Sequence, residues 1–190
     1  MGNKQQQQQE KESYLQDQYF RDVRELQKSS LDSHTQLTIS VQKDIFKWNN
    51  LQYLKEDFSV LFSLLDKCVN LSTLTLDLKQ AHIKVKLNLS QLQYCPIGNE
   101  GISALSSALV KCIHLTNLNL DLFCVNVGDK GVFEFSLGLA SCTNLLELKL
   151  KISYNNIENE GVLTLIQGLQ SCLKLSTLFL EVGEKIFQNL

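Results

Sequence analysis

Thiols are the residues here whose type and spacing most invite chemistry. Four of the six cysteines, Cys68, Cys112, Cys142 and Cys172, open four versions of one pattern: CVNLSTLTLDL, CIHLTNLNLDL, CTNLLELKLKI and CLKLSTLFLEV. Thiols can bridge, bind zinc or act as nucleophiles. Equivalent positions at the ends of stacked helices, however, stand roughly 8–10 Å apart, beyond the ~7 Å Cα separation that a disulfide tolerates. These four therefore read as small buried hydrophobes in a reducing compartment. Cys95 and Cys124 fall in turns after strands without a C-x-x-C partner, so no zinc ligand set is expected.

Asp77 and Asp121 fill one slot of the same pattern and could in principle share acid–base work. General acid–base catalysis needs an enclosed site that tunes its groups, which a shallow wet surface does not supply. His34, His82 and His114 lie in three different kinds of segment, and His114 fills the slot held elsewhere by Asn70, Asn144 and Lys174. No G-x-S-x-G, P-loop or H-E-x-x-H occurs. The expectation is a protein without catalytic residues, cofactor or metal.

Composition narrows the field further. With 44% apolar and 20% charged residues over 190 positions, the chain can bury one real core. A formal charge of −2, with the only arginines at Arg21 and Arg24, leaves no basic stripe for a nucleic acid. No apolar run approaches the eighteen or so residues of a membrane span, and the N-terminus lacks the apolar stretch of a signal peptide. An intracellular, cytoplasmic location is the expectation. Gly2 follows Met1, but Gln6 stands where a myristoylation signal needs Ser or Thr, so no lipid is expected.

The elements that would position these residues follow from a repeat. Gly101, Gly131 and Gly161 each stand eleven residues ahead of Cys112, Cys142 and Cys172, and both sets step by thirty. Such a period means stacked supersecondary units. Helices are predicted over 57–68, 101–112, 131–142 and 161–172, each with an apolar face such as Val132, Phe135, Leu139 and Cys142. Asn99, Asp129 and Asn159 are placed to cap them. After each Cys an alternating run, such as Leu118, Leu120 and Leu122, predicts a strand.

Ahead of the repeats, residues 1–9 are a Gln-rich tail too polar to bury itself. Residues 10–56 are expected to hold a helix over 10–28, from the stripe Tyr14, Leu15, Gln18, Tyr19, Val23 and Leu26, then a strand at Leu37–Val41 and a capping segment. Residues 57–190 form the repeat domain. Cys68 to Gly101 spans fourteen residues more than the later Cys-to-Gly intervals, which marks an insertion around 79–96 whose run Ile83–Leu89 alternates like a strand.

At these residues the chain resembles the leucine-rich repeat family in its ribonuclease-inhibitor-like subclass: Leu145, Leu148 and Leu150, then Asn155 or Asn156, Ile157 and Gly161. The resemblance implies an α/β solenoid, a short horseshoe arc with parallel strands on its concave face and helices on its convex face. It also implies a non-catalytic scaffold that binds a protein partner. One branch of the family activates small GTPases, but the repeats of this chain hold no arginine for a catalytic finger.

In such an arc the leucines point inward and the residues between them line the concave face. Three columns result: Thr73, Asn117, Glu147 and Thr177; Thr75, Asn119, Lys149 and Phe179; Asp77, Asp121, Lys151 and Glu181. The expected partner contacts are Thr75, Asp77, Asn117, Asn119, Asp121, Glu147, Lys149, Lys151, Phe179 and Glu181. After Val182 only eight residues follow, with no helical run. The last strand is therefore expected to leave an edge that meets a partner, a second copy or further repeats of a longer array.

Overall fold

The computed structural model describes residues 17–20, 35–40, 59–78, 97–183 and 185–188. Among them, one sheet runs in chain order through β1 (Asp17–Phe20), β2 (Gln36–Ser40), β3 (Thr73–Asp77), β4 (Asn117–Asp121), β5 (Glu147–Lys151), β6 (Thr177–Val182) and β7 (Lys185–Gln188). The pairs from β1 to β6 are all parallel, and β7 returns antiparallel to β6. Four helices alternate with the strands: α1 (59–65), α2 (Gly98–Lys111), α3 (Asp129–Ala140) and α4 (Asn159–Gln170). This is an open α/β leucine-rich-repeat solenoid arc, as the sequence leads one to expect.

Alternation sets the sheet register. Leu37, Leu74, Leu118, Leu148 and Leu178 stand opposite one another across five strands, and Ile39, Leu76, Leu120, Leu150 and Leu180 form the next row. Leu118, Leu120, Leu148 and Leu150 are buried while the residues between them are not. Slipping one strand by a single residue would turn its leucines to solvent, so the register is strongly specified. The helices close the core from the other side with Ile102, Leu105, Leu109, Val132, Phe135 and Leu139.

Small residues fix the helix spacing. A Cβ added to Gly138 would lie 2.7 Å from the Ser106 carbonyl oxygen, and one at Gly168 would lie 2.8 Å from that of Ser136. Such approaches are closed to any side chain. On the far side of α4, the thirty-residue successor of Ser106 and Ser136 is Ile166, which is 37% exposed. A groove of about 510 Å³ opens there between α4 and β6, lined by Ile166, Leu169, Leu175 and Leu178 among others. Val162 and Leu169 are accordingly less buried than their counterparts in α2 and α3.

Three expectations change. Asn99, Asp129 and Asn159 do not precede their helices as caps; they lie inside the first turns, and no side-chain cap bond forms. Instead Asn99 Oδ1 accepts the Gly128 N–H at 2.8 Å, and Asp129 Oδ1 accepts the Glu158 N–H at 2.8 Å. The side chain reaches the next repeat because its own turn is already closed by backbone. The repeated glycines make room for it: a Cβ at Gly131 would stand 2.6 Å from Asn99 Oδ1.

The second change lies at the N-terminal side. Residues 17–20, inside the helix expected over 10–28, form strand β1 parallel to β2. The stretch is Asp-Gln-Tyr-Phe, whose aromatic half favours strands, and the open edge of β2 offers backbone groups that need partners. The β2 strand itself appears one residue earlier than expected, at Gln36–Ser40.

The third change is at the other edge. β6 does not end bare, because Phe179, Leu180, Glu181 and Val182 pair with Gln188, Phe187, Ile186 and Lys185 of β7. The expectations for the tail 1–9, for the helix over 10–28 apart from residues 17–20, for the capping segment that follows β2 within 10–56 and for the insertion 79–96 lie outside the described residues.

Candidate functional site

Parallel pairing places the expected columns side by side. Gln36, Thr73, Asn117, Glu147 and Thr177 share one row; Thr38, Thr75, Asn119, Lys149 and Phe179 the next; Ser40, Asp77, Asp121, Lys151 and Glu181 the third. All ten expected contact residues therefore lie on one face of β3–β6. Of the ten, Glu147 and Lys149 are exposed and the rest are half-buried.

Within this face the side chains are interlinked. Asn117 Nδ2 donates to Glu147 Oε2 at 2.7 Å, while its Oδ1 accepts the Thr116 hydroxyl at 2.8 Å. The Lys149 ammonium stands 5.5 Å from the centre of the Phe179 ring, within reach of the attraction between a cation and an aromatic face. Thr73, Thr75, Asn117, Asn119, Glu147 and Lys149 surround a hollow of about 190 Å³. The third row lies along the edge where the strands run into their following turns.

Those turns carry two residues that the columns do not include. Phe123 follows β4, Tyr154 follows β5, and their ring centroids are 4.8 Å apart with planes at 44°. Asp121 Oδ1 accepts the Phe123 N–H at 3.3 Å, and Glu181 Oε1 accepts the Ser153 hydroxyl at 3.1 Å. Rings and carboxylates thus meet at one rim. Behind it, Asn155 Oδ1 accepts the N–H groups of Val125 and Val127, both at 3.0 Å. Its Nδ2 donates to the carbonyls of Leu122 and Ile152, both at 2.8 Å. One amide side chain thereby ties two successive turns together.

The same asparagine, strand leucines and helix glycine are the framework of a known repeat. A family model described as Leucine Rich repeat matches residues 91–106 and 141–165. Over these two stretches the chain matches a leucine-rich repeat. Neither a curated protein nor a solved structure shows a match. Leucine-rich repeat domains generally mediate protein–protein interaction.

Within the leucine-rich repeats the cysteines take a structural part. Cys68, Cys112, Cys142 and Cys172 are buried, and the last three point their thiols at carbonyls of the preceding repeat, Cys172 Sγ at 3.4 Å from Leu139 O. Burial pushes Cys68 and Cys142 up to about 12 and Cys112 up to about 11, with smaller contributions from neighbouring groups. Thiols held protonated by burial are poor nucleophiles at neutral pH.

Their linkage to folding has a definite sign. The folded state holds these protons to higher pH than the unfolded chain, so the stability they contribute is complete below about 9 and falls as pH rises toward 11–12. Urea midpoints measured from pH 8 to 11 should decline, and alanine replacement of Cys142 should reduce the slope of that decline.

Phe123 and Tyr154 escape a repeat-by-repeat reading because they do not share a slot. At a thirty-residue offset Phe123 corresponds to Ser153, and Cys124 to Tyr154. Only the turn geometry brings the two rings together. Gln36 and Thr38 extend the rows onto β2, where the sequence shows a strand but nothing of its register.

Among the described residues, no helix is long and apolar enough to cross a membrane, and no group of three or more His, Cys, Asp or Glu could hold a metal ion.

Proposed function

We propose that the chain is a non-catalytic scaffold, of the ribonuclease-inhibitor-like kind, that binds a protein partner across the concave rows of β3–β6 inside a reducing cellular compartment. The observation that carries this reading is the continuous outer face of the parallel sheet, polar at every position but Phe179 and aligned residue by residue over four strands. Repeat solenoids use such surfaces for extended contacts. The hollow at its centre, about 190 Å³, is smaller than the roughly 300–1,000 Å³ that small-molecule sites occupy. Full helices of 14, 12 and 12 residues between strands support the subclass. Four buried thiols of raised pKa at one repeat position support the compartment.

Asn119 and Lys149 are adjacent in the middle row and line the hollow. The double variant Asn119→Arg/Lys149→Glu should leave the circular dichroism spectrum unchanged and deplete the partner captured from a lysate by at least about tenfold, the effect of losing one well-placed polar contact worth ~1.4 kcal/mol. Undiminished capture would remove the concave face from the account.

A further inference from the structure

Tyr154 is 71% exposed and adopts φ +59°, a conformation that L-residues other than Asn and Asp seldom take. The turn, rather than the tyrosine, accounts for that conformation. One repeat earlier the same slot holds Cys124, with φ +57° and only 6% exposure. A buried small residue therefore suffices for the fold, and the outward ring is particular to this repeat.

The ring has defined surroundings. It packs at a tilt against Phe123, centroids 4.8 Å apart, and each turn bearing a member of the pair also holds a carboxylate: Asp121 on the Phe123 amide, Glu181 on the Ser153 hydroxyl. Along the adjoining row Asp77, Asp121 and Glu181 outnumber the single ammonium of Lys151. An exposed aromatic face beside carboxylates attracts a cation, as the Lys149 ammonium over Phe179 illustrates within this sheet. Among biological cations a guanidinium fits best, because its plane stacks on a ring while its edge donates to carboxylate oxygens; an ammonium is a compact point charge without that plane.

We propose that the Phe123–Tyr154 rim receives an arginine-bearing segment of the protein partner, its guanidinium stacked on Tyr154 and paired with Asp121 and Glu181. The proposal rests on the concave-face reading above and names the chemistry of what that face recognises.

The test is a titration of the isotope-labelled full chain with the capped pentapeptide Gly-Arg-Gly-Arg-Gly, with leucine and glutamate versions as controls, followed by amide chemical shifts. The arginine peptide should give saturable shifts at Asp121, Phe123, Ser153 and Tyr154 that weaken with salt. Tyr154→Gly keeps the turn, since glycine accepts positive φ without cost, and should bind about tenfold more weakly with an unchanged or higher thermal midpoint. Absence of rim shifts, stronger rim shifts from the leucine or glutamate peptide, or wild-type affinity in Tyr154→Gly would each overturn the proposal. Partner capture that remains sensitive to Asn119→Arg/Lys149→Glu while the arginine peptide fails overturns the arginine assignment alone and leaves the scaffold reading standing.

Discussion

Replacing Asn155 by alanine should destabilise the fold by about 3–5 kcal/mol, as large an effect as a polar residue can have here. Its side chain serves the N–H groups of Val125 and Val127 and the carbonyls of Leu122 and Ile152, across two successive repeats. Val125, Val127, Leu122 and Ile152 are themselves buried, at 0–1% exposure. Water cannot replace the lost bonds without opening the turns, and each stranded group costs on the order of 1–3 kcal/mol. The damage should also reach beyond stability, because the turns tied by Asn155 carry Phe123 and Tyr154. Urea denaturation gives the magnitude, and loss of the ring contact should appear as altered side-chain resonances of Phe123 and Tyr154.

Phe135→Ala should cost a comparable ~3–5 kcal/mol by a different route. Among the described residues Phe135 is the largest fully buried side chain, at 0% exposure, and it lies on α3 between α2 and α4. Truncation removes a ring's worth of apolar contact and leaves a void. Gly138 on the same helix already touches Ser106 backbone, and Ser136 touches Gly168, so the helix cannot slide inward to fill it. In a solenoid, where each repeat is supported by its neighbours, the loss in the middle repeat should weaken both sides. A single cooperative urea transition shifted to lower concentration would agree; an unchanged midpoint would contradict this packing.

The architecture was legible where one period carries the information. Leu118 and Leu120 alternate with Asn117 and Asn119, and the same spacing recurs at Leu148 and Leu150, so strand, buried face and row membership can all be read before any coordinates. Legibility failed where a residue's partner is distant in the chain. Asn99 and Asp129 look like caps of their own helices, yet they serve Gly128 and Glu158 about thirty residues on; local sequence cannot distinguish the two uses. Residues 17–20 read as helix by stripe and stand as strand because β2 presents a pairing edge. Phe123 and Tyr154 meet across different repeat slots, so comparing equivalent positions hides them.

The central claim is that the polar rows of β3–β6 are the partner surface, and the dissociation constant of a captured partner tests it most directly. Measured against the wild-type chain and against Asn119→Arg/Lys149→Glu, it should rise by at least about tenfold, with the circular dichroism spectrum unchanged. Equal affinity for the two chains would contradict the claim.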